Sequence, residues 1–321
     1  MSKKKRQLKI GRFILFLIFF TGIVYGAVQA GYRVYSVVSN LNWNTNGPHN
    51  SPNISITNRE FSENENDYTY VTMLPEDISK GSLILVNNEY LYPLVDQTEC
   101  VSLFDYKSLN YNVKDTLVTV SKTIIDPLNR MLDDFYKSTG LKTVNVVSGF
   151  RTYEFQESLY LDEVKQKGEA EAKRWVARPG GSEHHTGLAV DFSLFFNNGT
   201  SATYDGKGDY RKINDNAHKY GFVMRYDRQK ENLTGIAHEP WHFRYVGIPH
   251  SYIMVEKDFC LEEYIDYLRG FEYGKNHLIV TYEDREYEIY FTTETRVPVP
   301  KDLPYDISGN NVDGFIVTVY R

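Results

Sequence analysis

Cysteine is nearly absent: Cys100 and Cys260 are the only two in 321 residues. Two widely separated thiols do not make a disulfide framework and match no metal-binding cysteine spacing, so both are read as unpaired, although an extracellular setting permits a bridge. Clustered positive charge is also missing from most of the chain. The formal net charge is −6, and setting aside the six cations Lys3, Lys4, Lys5, Arg6, Lys9 and Arg12 leaves −12 on the remainder. That balance argues against a nucleic-acid surface, which needs grouped Lys and Arg to neutralise phosphates. The acidic excess is read simply as solubility, and no internal repeat stands out.

Long apolar runs are scarce too. The run from Phe13 to Ala30 is interrupted only by Thr21, Gln29 and small residues. It is just long enough for a membrane-spanning helix and longer than the apolar core of most signal peptides, and its basic flank stays cytoplasmic. Residues 1–34 are therefore expected to form a basic segment and single-pass anchor in the cell membrane, with the rest of the chain outside. Cleavage at Val28-Gln29-Ala30 would give a secreted form instead. Residues 35–67, rich in Asn, Ser, Gly and Pro, have little to bury and read as an extracellular linker.

Ordered structure is expected from Tyr68. Leu83 to Val86 resembles a strand. A helix capped by Asp115 or Thr116 runs to about Thr139, its stripe carried by Val120, Ile124, Leu128, Leu132 and Phe135, with Pro127 breaking or kinking it and Gly140 closing it. Thr143 to Val147 reads as a buried strand, and Tyr153 to Lys167 as a helix with Phe155, Leu159 and Val164 as core contacts. After Gly247 come a helix over Leu261 to Phe271 and strands at His277 to Tyr282, Tyr287 to Thr292 and Gly314 to Tyr320. These make a helix plus β-rich appendage, residues 259–321, behind a main domain of 68–258.

The chemistry is concentrated in Gly181-Ser182-Glu183-His184-His185-Thr186-Gly187-Leu188-Ala189-Val190-Asp191-Phe192 and in Glu239-Pro240-Trp241-His242. A catalytic zinc takes three ligands from His nitrogens and carboxylate oxygens and keeps one position open, and these segments supply a His/Asp/His set. Strand alternation puts Ala189 and Asp191 on one side and Leu188, Val190 and Phe192 on the other. Gly187 permits a tight turn that returns His184 to the Asp191 side. In the second segment Trp241, Phe243 and Tyr245 alternate with His242 and Arg244, and a bend at Pro240 can bring Glu239 beside His242. His49, His185, His218, His238, His250 and His277 are each read as structural or surface residues.

These segments resemble the signatures Ser-x-His-x-x-Gly-x-Ala-x-Asp and Glu-Pro-Trp-His of the VanY-type zinc D-Ala-D-Ala carboxypeptidases, relatives of VanX dipeptidases, L,D-carboxypeptidases and the hedgehog fold. A third match, Ser148-Gly149-Phe150-Arg151-Thr152 with Gln156, is similar to the family's Ser-Gly-Tyr-Arg-Ser…Gln element, with Phe150 in place of Tyr. The resemblance covers roughly Leu83 to Val255. It implies an α+β fold, a small antiparallel sheet flanked by helices with zinc on one face. It further implies His184, Asp191 and His242 as metal ligands, Glu239 as general base and Arg151 as a substrate or oxyanion clamp. Gln156 is implied as a substrate contact, and Ser182 either holds the substrate carboxylate or supports the ligand strand. The implied substrate is a peptidoglycan stem peptide ending in D-Ala-D-Ala. An L,D-carboxypeptidase acting on tetrapeptide stems and a non-catalytic cell-wall binding module are the alternatives.

Overall fold

The structure, a computed structural model, describes residues 54–61 and 67–321. The expected anchor at 1–34 lies outside the described residues; among those described, no helix is long and apolar enough to cross a membrane.

A six-stranded sheet carries the site. Its strands run in the order Asn112–Val113, Val144–Ser148, Ala189–Phe195, Glu239–Tyr245 and Phe222–Tyr226, with Ser201–Thr203 also pairing Ala189–Phe195. All pairings are antiparallel except that of Asn112–Val113 with Val144–Ser148, so the sheet is mixed where an antiparallel one was expected.

One face of this sheet is core. Val144, Val146, Val190, Phe192, Phe222 and Phe243 are buried against Leu128, Met131, Leu132 and Phe135 of the helix Ile125–Thr139. The three- and four-residue spacing of those four positions makes a single apolar stripe, and each fully buried side chain contributes about 1.5–3 kcal/mol. Gly140, at φ 73°, closes the helix by donating its N–H to the Tyr136 carbonyl. Pro127 does not kink this helix; it sits in the first turn, where a missing N–H has no intrahelical acceptor to lose. The helix therefore starts at Ile125 and not near Asp115, and Thr119–Val120 upstream pairs with Val101–Ser102.

Several other expectations are corrected. Leu83, Ile84, Leu85 and Val86 are buried as a strand would be, yet form none. Their peptide groups are satisfied elsewhere: Leu83 N–H by Ser308 Oγ, Leu85 N–H by the Asn310 carbonyl, and the Ile84 carbonyl by Arg244. The helix Tyr153–Lys167 forms as expected, but Phe155 is 55% exposed and Gln156 is its buried residue.

The C-terminal strands form a five-stranded antiparallel sheet, in the order Ile54–Glu60, Asn276–Tyr282, Arg285–Thr292, Phe315–Tyr320 and Tyr305–Gly309. Its outer strand, Ile54–Glu60, comes from the stretch read as linker and pairs residue for residue with Asn276–Tyr282. Tyr68–Thr72 pairs with Arg296–Pro300, and Tyr68 is buried with Tyr290, Val297, Val299 and Phe315. The described residues belong to one compact unit, so the boundary at 258 separates no independent body. An appendage of about 60 residues buries too little alone, and strands from the other end of the chain enlarge its core.

Candidate active site

The face of the six-stranded sheet opposite the core carries Asp191, His242 and Arg244. Asp191 and His242 are direct cross-strand partners, which brings their Cβ atoms to roughly 4.5–5.5 Å by pairing geometry alone. His184 reaches them from the 3-10 turn Glu183–Thr186. That turn is reversed by Gly187 at φ 68°, where a Cβ would lie 2.6 Å from Cys100 Sγ and 2.9 Å from Ser121 N. Only glycine fits both the backbone angle and the space.

One ligand atom from each of His184, Asp191 and His242 lies within 4.8 Å of the others, and all three residues are buried. His184 Nε2 is 3.1 Å from Asp191 Oδ2, and His242 Nδ1 is 3.0 Å from Asp191 Oδ1. Each imidazole has its other nitrogen occupied: His184 Nδ1 donates to the Gly149 carbonyl at 2.6 Å, and His242 Nε2 lies 3.2 Å from Glu183 Oε2. That leaves His184 Nε2 and His242 Nδ1 turned to the common point, the nitrogens a cation would take once they are free of a proton. A divalent metal fits this donor set.

Glu239 stands at the rim, its Oε2 3.8 Å from His242 Nδ1. The pairing with Phe222–Tyr226 is irregular between Glu239 and Phe243, so the bend at Pro240 expected from sequence is a bulge. Arg151 is held on three sides: Nε by Ser148 Oγ at 3.0 Å, Nη1 by Gln156 Oε1 at 3.3 Å and Nη2 by Asp191 Oδ2 at 2.6 Å. Gln156 is 1% exposed, and its Nε2 donates to the Ala177 carbonyl, so both ends of its amide are engaged. Ser182 is buried at the start of the turn. His185 is satisfied entirely by backbone: Gly180 N–H donates to its Nε2 and its Nδ1 donates to the Arg151 carbonyl.

The electrostatics follow from burial and neighbours. Burial pushes Glu239 up from 4.5 to about 7. Burial, reinforced by Arg151, takes His184 down to about 4, which keeps its imidazole neutral. For His242 burial is outweighed by hydrogen bonds to Asp191 and Glu183, which raise it to about 9. Asp191 would be raised by burial, but His184, His242 and Arg151 hold it well below the carboxylate range.

Three charged residues at the site were not singled out from sequence. Glu183, Arg225 and Arg244 are all buried; Arg225 Nε and Arg244 Nη1 donate to Glu183 Oε1 at 2.9 and 2.8 Å. Burial alone would raise Glu183, yet the two guanidinium groups hold it well below the usual range. The available signal was a charge at a core-like position, because Arg225 interrupts the otherwise apolar and aromatic strand Phe222–Tyr226 and Arg244 lies between Phe243 and Tyr245. A cavity of about 490 Å³ opens beside Asp191, lined in part by Val147, Ser193, Thr203, Tyr204 and Trp241.

A buried His/Asp/His cluster with a carboxylate at its rim, on the open face of a sheet, defines a metal-dependent hydrolase. Residues 118–248 match the family model described as VanY, D-alanyl-D-alanine carboxypeptidase. A D-alanyl-D-alanine carboxypeptidase of Enterococcus faecium is 36% identical over 318 residues, covering 96% of this chain and 95% of that protein. Among solved structures, the vancomycin-resistance D,D-dipeptidase VanXYg, in complex with a D-Ala-D-Ala phosphinate analogue, superimposes with a TM-score of 0.68 at 30% identity, over 84% of this chain and 99% of its own. The LD-carboxypeptidase LdcB gives 0.51 at 36% identity, over 60% of this chain and 87% of its own. The chain belongs to the VanY family of D-alanyl-D-alanine carboxypeptidases.

Proposed function

We propose that this protein hydrolyses the bond before the C-terminal D-alanine of peptidoglycan stem peptides ending in D-Ala-D-Ala. The observation that carries the reading is the convergence of His184, Asp191 and His242 with Glu239 at their rim. Those three residues would hold a zinc ion, which when bound would supply a Lewis acid for the scissile carbonyl and for the attacking water.

The protein groups do the rest. Glu239, at about 7, ionises near neutral pH and takes a proton from the attacking water as the C–O bond forms. It then delivers that proton to the departing amine nitrogen as the C–N bond breaks, releasing free D-alanine. The Arg151 guanidinium, fixed by Ser148 and Gln156, offers positive charge to the oxyanion that develops on the carbonyl oxygen. Gln156 acts through Arg151, since its own amide is fully engaged. Ser182, buried where the turn begins, supports the ligand segment. The basic flank and apolar run of residues 3–30 support placing this unit on the outer side of the cell membrane, where the wall peptides are.

The test is mass spectrometry of penta- and tetrapeptide stems incubated with the protein, with and without a chelator. Loss of one alanine from the pentapeptide, abolished by chelator, is expected. Trimming of the tetrapeptide alone would establish an L,D-carboxypeptidase, and no trimming by the zinc-loaded protein would leave a binding module.

A further inference from the structure

The three buried charges beside the ligands form a chain that leaves the site and ends in the C-terminal segment. His242 Nε2 meets Glu183 Oε2 at 3.2 Å, and Glu183 Oε1 accepts from Arg225 on one side and Arg244 on the other. Arg225 Nη2 donates to Glu262 Oε1 at 2.7 Å, and Asn87 donates to the same oxygen at 3.0 Å. Glu262 sits in the first turn of the helix Leu261–Leu268, beyond the reach of the family motifs. Arg244 Nη2 is tied to the carbonyls of Ser82 and Ile84. Glu183 and the two arginine side chains have no solvent exposure.

Placing an unpaired charge at this depth would cost far more than it returns, so the three charges hold one another in place. What the arrangement achieves lies at its inner end. An imidazole can turn either nitrogen to a cation, and a carboxylate on the opposite nitrogen fixes both the tautomer and the ring plane. We propose that Glu183 is a positioning residue for His242, keeping the proton on Nε2 and Nδ1 directed at Asp191 and His184, and that Glu262 anchors this chain from the C-terminal helix. The inference rests on the metal-site reading above. It gives the C-terminal segment a part in the active site without contact with substrate.

The experiment measures zinc affinity by chelator competition, together with the visible spectrum of the cobalt-substituted protein, on the full chain. Glu183→Gln is expected to bind zinc about 10–100-fold more weakly and to change the cobalt spectrum, and Glu262→Gln to shift affinity in the same direction by a smaller factor. Because Glu183→Gln leaves two buried guanidinium groups undercompensated and can prevent folding, a second measurement uses the parent protein. Nitrogen-15 spectra of its histidines, zinc-loaded, should show His242 protonated at Nε2. A parent that takes up no zinc overturns the metal site and this inference with it. A parent that binds one zinc with His242 unprotonated at Nε2, or a folded Glu183→Gln variant with parental affinity and spectrum, overturns the positioning role alone. Parental affinity in Glu262→Gln removes the C-terminal anchor from the proposal.

Discussion

Replacing Glu239 by glutamine separates chemistry from metal binding and from stability. Glutamine keeps the size and one acceptor oxygen, but cannot take a proton from water. Losing a positioned general base typically costs about 10²–10⁴-fold, or about 3–5 kcal/mol of barrier. Zinc content should not change, because Glu239 lies outside the three-residue cluster. Stability should move the other way. In the metal-free protein burial raises the carboxyl from 4.5 to about 7, so its share of stability is intact below pH 4.5 and is lost as the pH rises through about 7. Above pH 7 that loss approaches about 3 kcal/mol, at about 1.4 kcal/mol per tenfold change in proton affinity. Glutamine removes the loss. Glu239→Gln should therefore release D-alanine from a D-Ala-D-Ala pentapeptide at least about 100-fold more slowly, while the chelated variant at pH 8 melts higher than the chelated parent. A variant turning over within a few-fold of the parent would refute the base assignment, and an unchanged metal-free melting temperature would refute the burial argument.

Further expectations concern the neighbouring groups. Arg151→Ala should lower kcat/KM by about 10²–10³-fold with zinc retained, and Arg151→Lys should restore little. A single ammonium cannot reproduce the separate Nε and Nη1 anchors to Ser148 and Gln156; steady-state kinetics with metal analysis decides. Zinc has to displace the proton that His242, raised to about 9, carries in the metal-free protein. Apparent zinc affinity should thus weaken steadily as the pH falls below about 9, with proton release on binding visible by calorimetry in buffers of different ionisation enthalpy. Gly187→Ala places a Cβ within 2.6 Å of Cys100 Sγ at a positive φ. It should cost at least about 1–2 kcal/mol, lowering both the melting temperature and the zinc occupancy of the purified protein.

The faces that carry the candidate ligands were legible in the sequence because they depend on local geometry, and the family resemblance joined the three residues into a set. Period-two alternation puts Asp191 and His242 on the faces opposite Val190 and Phe243, and one glycine turns His184 toward them. The helix Tyr153–Lys167 was legible for the same reason. What sequence could not supply was anything that depends on which segment lies opposite which. Leu83 to Val86 read as a strand from its apolar run, but its hydrogen bonds go to Ser308, Asn310 and Arg244. Ile54–Glu60 read as part of a tether because the stretch around it is rich in Asn, Ser, Gly and Pro with little to bury, and it becomes a strand because Asn276–Tyr282 offers it an edge. Glu183 lay in plain sight between Ser182 and His184, yet its importance comes from Arg225, Arg244 and His242, each at least 42 positions away. Alternation and turns are properties of neighbouring residues, whereas the compensation of a buried charge and the pairing of an edge strand are decided only when distant segments meet.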